Sequence, residues 1–110
     1  MLRMAVSPAA SGLLRGLIAR AGVATDRILL SSVRSIDWQS LTFVGERHEI
    51  ELRIAPPEAE RVATQICERL GEAEFAIPGH ILADIAVRGR PRRSEDGSAL
   101  LSIEALTIEE

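Results

Sequence analysis

The chain has 110 residues, enough for one domain with its own core and too few for two. Its hydrophobic content of 46% excludes a disordered chain, and a formal net charge of -3 excludes a globally basic binder of nucleic acid or anionic membranes. A single cysteine, Cys67, excludes an internal disulfide and fits a reducing compartment.

All 13 basic residues are arginine, and lysine, tyrosine and asparagine are absent. The absent types share AT-rich codons, so the bias points to a GC-rich, bacterial genome rather than to selection for guanidinium chemistry. An aromatic content of 3% leaves little for stacking nucleic-acid bases. No apolar run approaches the roughly 20 residues that cross a membrane as a helix, so no membrane association and a cytoplasmic location are expected. The first 25 residues carry Arg3, Arg15 and Arg20 and no acid, a bias shared with organelle transit peptides. Clean helix caps in the same stretch favour an ordinary first helix instead.

Residues 1–6 read as a short frayed lead. Ser7 then offers an N-cap and Pro8 suits the first helical position. Leu13, Leu14, Leu17, Ile18 and Ala21 recur at helical spacing and Gly22 supplies the stop, which predicts a helix over 8–21. Gly12 and Gly16 lower its propensity and are expected to let it pack closely on a sheet. Residues 27–36 read as a first strand carried by Ile28, Leu30 and Val33. Residues 37–40, with Trp38, read as the turn. A second strand spans 41–54, with Val44, His48, Ile50, Leu52 and Ile54 on a core face and Leu41, Phe43, Arg47, Glu49, Glu51 and Arg53 on a mostly wet one.

Pro56-Pro57 opens a second helix with Glu58 and Glu60 in its first turn, where the dipole favours acids. Ala59, Val62, Ala63, Ile66 and Leu70 form its apolar stripe, and Gly71 ends it. Glu74 to Val87 is the strongest strand signal. Alternation puts Ile81, Ala83, Ile85 and Val87 on one face, and His80, Leu82, Asp84 and Ala86 on the other. An arginine-rich loop, 88–97, closes on Asp96-Gly97. The last strand, 98–109, sets Leu101, Ile103 and Ala105 against Leu100, Glu104, Leu106 and Ile108.

The order is helix-strand-strand, twice, with a short echo at the helix exits (Arg20-Ala21-Gly22-Val23-Ala24 against Arg69-Leu70-Gly71-Glu72-Ala73). The expected fold is α+β: a four-stranded antiparallel sheet with both helices on one face. This order resembles a ferredoxin-like sandwich, circularly permuted so that its first strand comes last. The second and fourth strands belong at the centre and the other two at the edges.

Chemistry-bearing residues are few. His48 lies between Glu46 and Glu49, where an imidazole can act as base or metal ligand, but the spacing matches no zinc motif. The plainer reading is a partly buried, hydrogen-bonded imidazole. His80 and Asp84 share a face by alternation, yet four residues along a strand is about 13 Å. Glu49, Glu51 and Glu104 are expected near Asp84 on the open sheet face, as a perturbed carboxylate cluster or, more plainly, as groups neutralised by Arg47 and Arg53. Trp38 in a turn suits contact with a partner. Cys67 reads as a packed thiol. Arg88, Arg90, Arg92 and Arg93 suggest phosphate contact, but Glu95 and Asp96 follow at once, so a solvated loop without nucleic-acid binding is expected.

The sequence therefore points to a non-catalytic, homo-oligomeric binding or assembly module, in the first instance a homodimer, that uses its open sheet face. No metal and no cofactor is expected. The alternative is a small enzyme, or a module for a small-molecule ligand, with His80, Asp84 and a nearby glutamate at the sheet face or a subunit interface.

Overall fold

The computed structural model describes residues 6–110, so the expected N-terminal lead, except Val6, lies outside the described residues. Helix α1 covers Pro8–Ala21, as its caps dictate. The Ser7 hydroxyl accepts a hydrogen bond from the Ala10 N–H at 3.1 Å, and Gly22 leaves the helix with φ of 66°. Strand β1 runs Ile28–Gln39 and β2 runs Val44–Ile54. The turn between them is therefore 40–43 rather than 37–40. There Ser40 does the turning: its hydroxyl accepts from the N–H groups of Thr42 and Phe43. Trp38 consequently lies in a strand, not in a turn.

Helix α2 covers only Ala59–Cys67. Glu58 is left-handed, with φ of 58°, so the helix starts after it. Arg69, with φ of 51°, separates α2 from a short 3-10 turn over Leu70–Glu72. Arg20 joins the two helices at their C-terminal ends, donating to the carbonyl oxygens of Ile66, at 2.9 Å, and Glu68. Gln65 returns a bond to the Arg20 carbonyl at 3.1 Å.

Strand β3 is His80–Val87, shorter than the 74–87 run suggested, because residues 73–79 cross irregularly beneath α1. Gly12 and Gly16 serve this crossing and not the sheet. A Cβ at Gly16 would collide with the Phe75 ring, and one at Gly12 would sit 3.0 Å from Ile77. A two-residue strand β4, Arg92–Arg93, lies inside the arginine loop, and β5 spans Ala99–Glu109.

The sheet order is β1-β2-β5-β3, all antiparallel, with β4 also on β5. The second and fourth long strands take the centre, as expected. Both helices cover one face. Leu13 and Leu17 of α1, Val62 and Ile66 of α2, Leu52 and Ile54 of β2, and Leu101 and Ile103 of β5 are completely buried. Each such side chain contributes about 1.5–3 kcal/mol relative to exposure. Two bulges reset the alternation. Ser31 is the extra residue in β1, and Ala83 in β3. The second bulge corrects the face assignment of β3: Leu82, opposite buried Thr107, joins the core, and Ile81, opposite Ile108, faces outward.

Candidate functional site

The open face can be read in rows, because directly paired residues of antiparallel strands share a face. One row is Arg34, Glu49, Glu104 and Ala86. On one side of it lie Ile36, Arg47, Leu106 and Asp84, then Trp38, Gly45, Ile108 and Ile81. On the other side lie Ser32, Glu51 and Ser102, then Leu29, Arg53 and Leu100. The expected meeting of carboxylates is thus partly realised. Glu49 stands opposite Glu104, Glu51 sits one row away, and Asp84 is opposite Leu106.

Arginines from the loop answer part of this charge. Arg88 lies 3.5 Å from Glu104 and Arg92 lies 3.5 Å from Glu51. Arg93 reaches Glu60 of α2 at 3.4 Å, and Arg53 pairs with Asp96 at 2.9 Å. The loop is solvent-exposed, as expected, but its arginines reach the sheet and α2 through surface ion pairs, so the neutralising arginines are mainly Arg88 and Arg92, not Arg47. Asp96 also accepts the Ser98 N–H at 2.9 Å. That bond, the Ser98 hydroxyl and Arg53, in this order, hold its carboxyl at about 2.

The covered face carries a polar network at the end of the sheet. His48 is fully buried. Its Nδ1 lies 2.7 Å from the Ser35 hydroxyl of β1, and its Nε2 lies 2.8 Å from the buried Thr107 hydroxyl of β5. One imidazole thus joins three strands through two hydroxyls. Burial pushes its pKa below the ordinary value; nearby Glu46 opposes this and His80 adds to it. A neutral imidazole needs one donor and one acceptor among its partners, and a hydroxyl can play either role. The arrangement is that of a satisfied structural histidine. The parity of β2 indicates the face of His48, but Ser35 and Thr107 become visible only once strand register is known.

Beyond this network a cavity of about 440 Å³ opens at the sheet end, lined in part by Asp37, Glu46, His80 and Glu109. His80 Nδ1–H donates to the Pro78 carbonyl at 3.0 Å, which leaves Nε2 available. His80 pairs with Glu109 on the covered side, whereas Asp84 is exposed on the open side. The bulge at Ala83 thus places His80 and Asp84 on opposite faces, and they form no common site. Among the described residues, no group of three or more His, Cys, Asp or Glu side chains is placed to hold a metal ion. Cys67 is a partly buried free thiol whose pKa burial raises, against a smaller opposing effect of Arg20. Among the described residues, no helix is long and apolar enough to cross a membrane.

No protein-family model, no curated protein and no solved structure matches this chain.

Proposed function

We propose that this chain is a non-catalytic assembly module, a circularly permuted ferredoxin-like sandwich of the bacterial cytoplasm that homodimerises through its open sheet face. The observation that supports it most directly is apolar exposure. Ile36 and Ile81 are 39% and 56% exposed beside half-buried Trp38, Leu106 and Ile108, and at the other end of the face Leu29 is 52% exposed beside half-buried Leu100. The charges suit a second copy of the same face. Among the described residues, Arg34, Arg47, Glu49 and Asp84 lack an ion-pair partner within 4 Å, two cations and two anions on one surface. A copy rotated about a two-fold axis can set cations of one face against carboxylates of the other. The all-arginine basic set and the lone thiol support the bacterial cytoplasmic setting.

The experiment is light scattering at micromolar concentration on the purified chain and on Ile81→Glu. The expected mass is two chains or more, reduced by the variant, whose side chain is solvent-exposed in the single chain. A species of one chain mass for the unmodified protein sinks the proposal. The rival reading, a small enzyme or ligand module on His80 and Asp84, has no comparable support, since the two side chains face opposite ways.

A further inference from the structure

The two edges of the sheet are unlike. Edge strand β3 is short and bulged, and the 3-10 turn over Leu70–Glu72 packs beside it. Edge strand β1 is 12 residues long, contains no proline and carries its bulge near its start, at Ser31. Natural sheets blunt such an edge with charged side chains, lysine above all, with inward-pointing charges, proline, a mid-strand bulge or a covering segment. Residues 32–39 of β1 carry two charges, Arg34 and Asp37, but among the described residues no lysine, proline, bulge or covering segment.

The ladder fixes which groups are free. The Ser40 N–H donates to the Phe43 carbonyl, so in this register Ser32, Arg34, Ile36 and Trp38 turn both backbone groups toward β2. Val33, Ser35, Asp37 and Gln39 turn theirs outward. Among the described residues, none of these outward groups has a hydrogen-bond partner.

We propose that β1 pairs antiparallel with β1 of a second copy of this chain, with Ile36 opposite Ile36 on the two-fold axis. Side-chain chemistry favours this register among those centred on residues 34 to 37. Opposing residues must share a face, so the allowed registers differ by two residues in sum. Centring on Arg34 sets Arg34 against itself, and centring on Asp37 sets Asp37 against itself, both like-charge clashes. Centring on Ser35 leaves Arg34 facing Ile36 and Val33 facing Asp37. Centring on Ile36 puts an apolar residue on itself and flanks it, twice, by Arg34 against Trp38 of the other copy. That pairing lays a guanidinium beside an indole. Asp37 then bonds through its backbone to Ser35 of the second copy, a hydrogen-bonded pair, while Ile36 forms a close non-bonded pair.

Pairing here goes beyond the face reading and does not require it. It yields one continuous sheet of eight long strands and leaves the open face uncovered, so the two interfaces do not compete for the same surface. Two sets of variants test it. Oxidation of Ile36→Cys, in a Cys67→Ala background, is expected to give a disulfide-linked dimer. Arg34→Cys and Trp38→Cys alone are expected to give none, and a mixture of the two is expected to give the heterodimer. The second variant is Asp37→Pro, which removes one outward N–H and leaves the ladder to β2 intact. It is expected to raise the dissociation constant about tenfold, the loss of a hydrogen bond in each copy, while thermal unfolding stays cooperative. Absence of the Ile36→Cys cross-link, self-linking of Arg34→Cys, or a dissociation constant unchanged by Asp37→Pro overturns the proposal. Failure of the face reading has a different signature: Ile81→Glu then leaves assembly unchanged while Asp37→Pro still weakens it.

Discussion

Thr107→Val tests whether His48 is held as a structural histidine. The substitution keeps the shape of the side chain and removes the hydroxyl that lies 2.8 Å from His48 Nε2. Both residues are fully buried, so water has no ready path to the orphaned nitrogen. Leaving a buried polar group unpaired costs about 1–3 kcal/mol. Ser35→Ala removes the other partner, but Ser35 is half-buried at the edge strand, and water can replace its hydroxyl. Its cost is expected near the low end, about 0.5–1 kcal/mol. The ordering matters more than either value. Urea unfolding at pH 8 should give Thr107→Val as clearly the less stable variant, and the double variant His48→Leu/Thr107→Val as less destabilised than the sum of its parts. The pH dependence has a defined sign. Burial lowers the folded pKa of His48, so the unfolded chain binds the proton more readily. This contribution to stability is complete above the ordinary histidine value of 6.5 and declines as pH falls below it, toward the lower folded pKa. A Thr107→Val cost below about 0.5 kcal/mol, or a larger cost for Ser35→Ala, would refute the account.

Three further outcomes are expected. Gly45→Ala should destabilise the fold by about 1–3 kcal/mol in chemical denaturation, because a Cβ at Gly45 meets the Thr107 carbonyl oxygen and lies 3.0 Å from Ile108 Cα. Replacing Arg90, Arg92 and Arg93 together by Ser should change stability by less than about 1 kcal/mol, since the ion pairs of Arg92 and Arg93 are solvent-exposed, and a gel shift should show no specific nucleic-acid binding before or after the change. The Asp96 carboxyl should titrate near 2 by NMR, so its contribution to stability is present above its ordinary 3.8 and is lost as pH falls through that interval; Ser98→Ala should move the midpoint upward.

The regular parts of the fold were legible because local signals agreed with one another. Ser7-Pro8 and Gly22 bracket α1, and the alternation of β5, and of β2 from His48 to Ile54, matches their burial; Val44, expected on the core face, is instead 50% exposed because it lies at the hairpin end of β2, beyond the reach of the helices. The misplacements share a cause, which is backbone geometry that side-chain periodicity does not encode. The bulge at Ala83 exchanges the faces of Ile81 and Leu82 within an otherwise apolar run, where alternation offers no marker of an inserted residue. Trp38 read as a turn residue because Asp37 and Ser40 resemble turn chemistry, yet only Ser40 acts so, and cross-strand pairing extends β1 through Gln39. His48 was visible as a core-side residue. Its partners, 13 residues before it and 59 after it, were not, because they depend on register across three strands.

The two faces of the sheet handle polar groups differently, and this difference carries the functional argument. On the covered face the buried imidazole finds both of its partners inside the chain. On the open face the arginine loop pairs with Glu51 and Glu104 but does not reach Glu49 or Asp84, and Arg34 and Arg47 stand unpaired among the described residues. Water alone can satisfy exposed charges at little cost, so the unpaired ions do not by themselves demand a partner. They occur, however, among Leu29, Ile36 and Ile81, and such side chains gain from being covered. A surface with apolar residues to bury and cations and anions in equal number is poorly suited to a strongly charged partner, which would leave one sign unmatched. It is better suited to a copy of itself, since a two-fold axis can set the unpaired cations of one face against the unpaired carboxylates of the other.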